Sequence, residues 1–332
     1  MFNISIIKIM NLLLLIGNHN FQYNIIYLND MKTIDYFTLT QFISDDVHFP
    51  NGDSKLNQLG GGTYTVAGQR LWSDKVGFCC CLGPDYEEKY SKWFIDNDID
   101  MVARRLDKNC IHSTINYFED GEREEINHPD CGSFSEMMAY FSDIPNIYKE
   151  SKGMYFFIGD DDSYWAEALT WLKSYNGISC WEIKGDMCDK KYVDKISEYL
   201  KYVDLFSLNI SEARRITGKE DELEIIKHLK GMHADKFILR MGAKGAFTVD
   251  KNNIWHIPAV KTNVVDVTGG GNSSTGGFLV GYYQSQGDIK YAGATAATSA
   301  SFIINQWGVP TKLDDLKKQA IERFNSLNIT RI

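Results

Sequence analysis

The chain has 332 residues, 44% apolar and 24% charged, enough for one large α/β domain with a small appendage and too apolar for extended disorder beyond the ends. Its formal charge is −9 with no long basic run, which argues against nucleic acid as a partner, because such binding needs a basic stripe that displaces counterions from phosphates. Small anionic ligands need only local positive potential and stay open.

Residues 1–31 read as an N-terminal extension, dispensable and standing before the first clear strand, with Met31 as an alternative start. Its apolar stretch, residues 9–16, is too short to span a bilayer. The alternative, a signal-peptide core after Lys8, lacks a clear small-residue cleavage site. No membrane segment is expected.

The domain proper is expected over residues 32–330. Residues 34–43 read as a first strand, and 63–72, after Gly60-Gly61-Gly62, as a helix. Residues 76–82 are a buried strand containing three of the seven cysteines, Cys79, Cys80 and Cys81. Strand neighbours point to opposite faces, so these thiols cannot jointly hold a metal. Cys110, Cys131, Cys180 and Cys188 complete an odd set with no Cys-x-x-Cys pair. Small buried hydrophobes in a reducing compartment account for them, so the expected location is cytoplasmic.

Residues 86–97 read as a helix, and 109–125 as a hairpin around Glu119, Asp120 and Gly121. In that hairpin Tyr117 and Phe118 are read as core of a small sheet, with a pocket wall as the alternative. Strands at 154–158, 178–183, 204–208, 236–240 and 246–249 follow, with helices at 163–174 and 190–200. A β-like stretch, 261–265, precedes helices at 272–284 and 289–304. Strands spaced by helices imply a mainly parallel sheet covered on both faces, whose ligands collect beyond the carboxyl ends of the strands.

The sharpest feature is Asp266-Val267-Thr268-Gly269-Gly270-Gly271-Asn272 at the start of a helix. Three glycines let the backbone approach a ligand with several N–H groups aligned, and the helix adds its free donors and dipole. That is an anion cradle suited to a phosphoryl group; a plain glycine turn is the alternative. No Walker A loop and no protein-kinase signature occurs in the chain.

This segment resembles the second signature of the PfkB (ribokinase-like) family of carbohydrate kinases, Asp-Thr-x-Gly-Ala-Gly-Asp. Asp266, Thr268, Gly269 and Gly271 match, while Val267, Gly270 and Asn272 depart. Further stretches resemble the family in its own order. Gly60-Gly61-Gly62-Thr63-Tyr64-Thr65 is similar to the first signature, with Thr65 for Asn. Asp45 stands where the family sets an Asp against sugar hydroxyls. Asn209-Ile210-Ser211-Glu212 matches its Asn-x-x-Glu motif, and Gly242-Ala243-Lys244-Gly245 its nucleotide-side turn. Each has a bland alternative: a solvated Asp45, hairpin glycines, and a helix cap made of Asn209 and Glu212. Thr65 with Asn272 resembles a divergent branch related to the fungal killer-maintenance protein.

The resemblance implies a three-layer α/β sandwich with a mainly parallel sheet and a small β lid from segments 46–57 and 109–125. It implies ATP and Mg²⁺ as cofactors and a small hydroxylated acceptor of the sugar or nucleoside class. Gly269, Gly270 and Gly271 would form the anion hole, and Asn272 falls on the base position. Asp45, Gly61, Gly62 and Thr65 would meet the acceptor. Asn209, Gly242, Gly245 and Thr268 would face the nucleotide, with Ala297, Ser301 and Asn305 beside the adenine. Small-residue helix packing is the alternative for those last three. Glu212 would act on Mg²⁺ indirectly.

A carboxamide hydrogen-bonds a hydroxyl but cannot take its proton at neutral pH. Weakened phosphoryl transfer is therefore expected. An active kinase recruiting Asp266, Asp45 or Asp46 as base, and a noncatalytic binding or scaffold protein, are the alternatives. Lids of this family pair between subunits, which implies a homodimer through the lid.

Overall fold

The computed structural model of the chain describes residues 25–27, 32–119 and 123–332. In chain order its strands are β1 (Ile25–Tyr27), β2 (Tyr36–Leu39), β3 (Phe42–His48), β4 (Ser54–Gly61), β5 (Val76–Leu82), β6 (Asp100–Arg105), β7 (Ile111–Tyr117) and β8 (Arg123–Asn127). After these come β9 (Gly153–Ile158), β10 (Ile178–Ile183), β11 (Leu205–Asn209), β12 (Phe237–Arg240), β13 (Ala246–Val249), β14 (Ile254–Ile257) and β15 (Thr330–Arg331). The helices are α1 (Gly62–Arg70), α2 (Tyr86–Lys89), α3 (Ser91–Asp96), α4 (Asp162–Leu172), α5 (Val193–Leu200), α6 (Ile210–Thr217), α7 (Glu222–Gly231), α8 (Gly270–Gln284), α9 (Ile289–Ile303) and α10 (Lys317–Asn325).

The main sheet runs β1-β6-β5-β2-β9-β10-β11-β12-β13-β14-β15. It is parallel from β6 to β12 and antiparallel at both edges. One face buries Phe37, Phe156, Trp181 and Phe206 against α4 to α7, with Trp165 contributed by α4. Trp165 lies edge-on to Trp181 at 4.7 Å and stacks on Tyr199 at 3.8 Å. Burial of a large apolar side chain stabilises by about 1.5–3 kcal/mol, so this face is a principal hydrophobic anchor of the sheet. The other face packs Tyr155, Cys180, Leu205 and Ile238 under Phe278, Leu279 and Val280 of α8.

A separate sheet, β4-β3-β7-β8, stands on hairpins that leave the main sheet. Its base is pinned by polar contacts inside the fold. His112 Nε2 lies 3.1 Å from Asp46 Oδ2, its Nδ1 2.8 Å from Ser44 Oγ, and Ser44 Oγ 2.9 Å from Tyr90 Oη.

Helix α8 is rich in glycine, which costs about 1 kcal/mol per interior position relative to Ala. Contact explains the composition. A Cβ at Gly276 would collide with the Thr65 carbonyl and one at Gly68 with the Ser273 carbonyl, so α1 and α8 meet backbone to backbone. Gly277 and Gly281 leave room for the Ser299 and Thr295 hydroxyls of α9.

Several expectations change. Residues 34–43 are not one strand: the chain breaks at Thr40-Gln41, β2 staying in the main sheet and β3 starting the small one. The helix over 86–97 divides at Tyr90 into α2 and α3. Residues 261–265 form no strand. The edge strand β1 lies within the segment read as an extension, so the sheet begins before residue 32. The rest of that segment, and Asp120 and Gly121 of the hairpin turn, lie outside the described residues.

Candidate active site

Helices α4, α6, α7 and α9 begin with Asp161, Asn209, Asp221 and Asp288, whose side chains accept from the first-turn amides. Helix α8 does not. Its N-cap is Gly269 at φ 76°, which has no side chain to cap with, and no side chain among the described residues accepts from its first-turn amides. A Cβ at Gly269 would run into the Tyr64 ring. The Gly270 amide closes a turn on the Val267 carbonyl at 3.2 Å, so that glycine supplies no donor to an anion. The amides of Gly271 and Asn272 have no hydrogen-bond partner among the described residues, and they sit where the helix dipole is positive. Of the amides around the three glycines, that of Gly270 is thus spent, while those of Gly271 and Asn272 stay open among the described residues.

Beneath this turn lies a buried polar chain that runs from the middle of β9 to the carboxyl ends of β10 and β12. Asn272 Nδ2 donates to Tyr155 Oη at 3.4 Å, and Tyr155 Oη donates to Glu182 Oε2 at 3.0 Å. Glu182 Oε1 meets Arg240 Nη2 at 2.8 Å. Arg240 reaches across β11 over the small Ser207, which is level with Glu182. Its Nη1 packs against Gly271, where a Cβ would strike it, and its buried Nε has no partner among the described residues. Burial works against its charge, but Glu182 and Glu212 hold the guanidinium in its cationic form. Burial and the Glu182 charge push the Tyr155 hydroxyl well above its ordinary range, so it keeps its proton.

Asn209 and Glu212 form a capping box on α6, with Glu212 N donating to Asn209 Oδ1 at 2.9 Å and Asn209 N to Glu212 Oε2 at 2.7 Å. Glu212 Oε2 also lies 4.0 Å from Arg240 Nη2. Burial raises its carboxyl, and Arg240 pulls it back part of the way. Gly242 and Gly245 hold the β12–β13 turn at φ 59° and 87°.

The small sheet closes over a narrow cavity with room for about one water molecule, lined by Asp45, Gln58, Tyr64, Tyr117, Asp266, Thr268 and Trp307. Asp266 Oδ1 accepts from Thr268 N at 2.9 Å and from Tyr117 Oη at 3.4 Å. Phe49 joins Trp307 at 4.3 Å between ring centroids, so the wall is strongly aromatic. Tyr117 therefore lines a cavity and is not lid core, while Phe118 is 49% exposed. Asp46 points instead at His112, outside this cavity.

Two of the expected acceptor-side residues are engaged within the fold. Thr65 is fully buried between α1 and α8, facing Tyr155. The Gly62 amide is spent on the Gln41 carbonyl at 3.1 Å, though Gly61 keeps the positive φ of 53° that turns β4 into α1. On α9, the Ser301 hydroxyl accepts from Arg323 of α10 at 2.8 Å. The Asn305 carboxamide, turned to suit its neighbours, accepts from Arg323 at 3.1 Å. These two residues fasten α10; Ala297 is half-buried.

Sequence reasoning missed Tyr155, Glu182, Arg240, Tyr64 and Trp307. Tyr64 was signalled by its place inside the glycine turn. The charged pair carried no local signal.

A family model for pfkB family carbohydrate kinases matches residues 30–316. Cytidine kinase of Thermococcus kodakarensis is 24% identical over 83% of this chain and 98% of its own. Protein MAK32 of Saccharomyces cerevisiae is also 24% identical, over 86% of each chain. The crystal structure of fructokinase from Vibrio cholerae, in its fructose-, ADP- and calcium-bound form, shares the fold. Its TM-score is 0.66 at 17% identity, covering 85% of this chain and 96% of that one. With the family model spanning nearly all of the described domain, the chain belongs to the pfkB family of carbohydrate kinases.

Proposed function

We propose that the chain binds Mg²⁺·ATP at the start of α8 and a small hydroxylated acceptor, a sugar or nucleoside, beneath the lid sheet, which must lift to admit it because the closed cavity there holds about one water molecule. Phosphoryl transfer between them is slow because residue 272 is Asn. The observation that carries this reading is the pair of unspent amides, Gly271 and Asn272, next to a cavity that holds two carboxylates, Asp45 and Asp266. Named relatives of cytidine-kinase type favour a phosphorylated hydroxyl as product.

The residues present fit the cofactors. Gly271, Asn272 and the Arg240 guanidinium offer donors to a terminal phosphate, and Gly242, Gly245 and Ala297 line the nucleotide side. No group of three His, Cys, Asp or Glu that would hold a metal directly occurs among the described residues. An ion carried on the nucleotide's own phosphates, with Glu212 acting through water, is consistent with that. When bound, ATP supplies the phosphoryl group and Mg²⁺ neutralises its charge in a loose transition state. The chain's own contribution is positioning: amides hold the phosphate oxygens, and Asp45 holds an acceptor hydroxyl. A general base typically contributes ~10²–10⁴-fold, and this is the contribution that Asn272 withholds.

The test combines thermal unfolding with a coupled ADP assay across sugars and nucleosides. Mg²⁺·ATP at millimolar concentration is expected to raise Tm, because a ligand that binds only the folded state stabilises it. One acceptor is expected to stimulate slow ADP release. No rise in Tm and no stimulation by any acceptor would contradict the reading and point to a noncatalytic protein.

A further inference from the structure

Residue 272 is oriented from inside the protein. Tyr155 Oη lies 3.0 Å from Glu182 Oε2 and 3.4 Å from Asn272 Nδ2. Glu182, ion-paired with Arg240, only accepts hydrogen bonds. The single phenolic proton therefore goes to Glu182, and the phenolic oxygen offers residue 272 only lone pairs. Its partner there must be a donor. A carboxamide meets that requirement through Nδ2, which leaves Oδ1 for the cleft side.

We propose that Tyr155 and Glu182 are the positioning residues of the base position: they select an amide at 272, hold its nitrogen inward and present Oδ1 to the acceptor hydroxyl. The orientation stands on the hydrogen-bond chain alone; its use toward an acceptor rests on the kinase reading above. A carboxylate in the same place would face the lone pairs of Tyr155, with Glu182 beyond them. It would take up a proton in order to donate to Tyr155, and a protonated carboxyl is no base. The charged and titratable groups around residue 272 are Tyr155 of β9, Glu182 of β10 and Arg240 of β12, with Glu212 of α6 behind Arg240. Asp266, on the loop entering α8, is engaged with Thr268 and Tyr117. Arg240 offsets part of the Glu182 charge, so the direction of the phenolic proton decides. Restoring an acid at 272 is then insufficient by itself to restore a base.

The experiment places Asn272→Asp in the native background and in Glu182→Gln, in the full chain, and titrates the introduced carboxyl by ¹³C NMR. A glutamine at 182 can donate to Tyr155, freeing the phenolic proton for residue 272. The introduced carboxyl is expected to titrate above the ordinary carboxylate range in the single variant and at least about one unit lower in the double variant. Transfer by the single variant should climb with pH, and at pH 7 the double variant should exceed it by about tenfold. Ordinary titration in both backgrounds overturns the proposal. Titration as stated with no acceptor phosphorylated by any variant upholds the orientation and ends the kinase reading. Should Glu182→Gln fail to fold around an unpaired Arg240, Tyr155→Phe leaves the ion pair whole. It should speed exchange of the Asn272 side-chain amide relative to the native chain; unchanged exchange also overturns the proposal.

Discussion

Gly269 shows how far single residues are committed here. At φ 76° it occupies the left-handed region, where a side chain costs roughly 1–2 kcal/mol, and the Tyr64 ring fills the space a Cβ would need. Gly269→Ala is expected to destabilise by at least about 1 kcal/mol in urea denaturation; an unchanged midpoint would show that the turn relaxes. The requirement was legible, because a triple glycine before an apolar helix has few other physical uses. Glu182 and Arg240 were not legible. In sequence each is one charged residue at the end of an apolar strand, indistinguishable from a solvated terminus. Only the register of β10, β11 and β12, with Ser207 small between them, brings the two into one buried pair. Thr65 is a related case: its motif position was recognisable, but the close approach of α1 and α8 that buries it is a tertiary fact.

At the scale of elements, the lid depends on a polar hinge. Asp46 accepts from the Asn57 amide at 2.7 Å and pairs with His112 at 3.1 Å, tying β3 to β4 and β7. Burial pushes its carboxyl up, but the Asn57 amide and His112 outweigh that and leave it below its ordinary 3.8. A lowered carboxyl contributes stability that is fully present above its unfolded value and is lost as pH falls through the folded one. Asp46→Asn should therefore cost up to about 1 kcal/mol near neutrality, trimmed by solvent screening, with the difference from the native chain shrinking as pH falls from 3.8 and vanishing below the depressed folded value. Thermal unfolding across pH checks it; a difference that persists in acid would assign the cost to packing. The hairpin around residues 109–125 was readable from its turn signal and β-branched residues, whereas the 46–57 segment came only with the family resemblance. The switch of chain from β2 to β3 was hidden, because an unbroken apolar run conceals the step at Thr40-Gln41 between two sheets.

For the whole molecule, the parallel sheet gathers strand ends, the open start of α8 and the lid at one end. The alternation of strands and helices was enough to predict that gathering, since crossover connections leave few other topologies. The contents of the site were predicted less well, because burial and register settle which of the nearby polar atoms remain unspent. The central claim is that main-chain amides at Gly271 and Asn272 hold a nucleotide phosphate although no base follows them. Calorimetric titration with Mg²⁺·ATP, on the native chain and on Gly271→Ala, tests it, because the added methyl collides with Arg240 and forces the turn that carries both amides to shift. One nucleotide per native chain is expected, with affinity weaker by about tenfold or more in a variant that still unfolds cooperatively. Equal affinity in both, or no binding by the native chain at millimolar nucleotide, would contradict it.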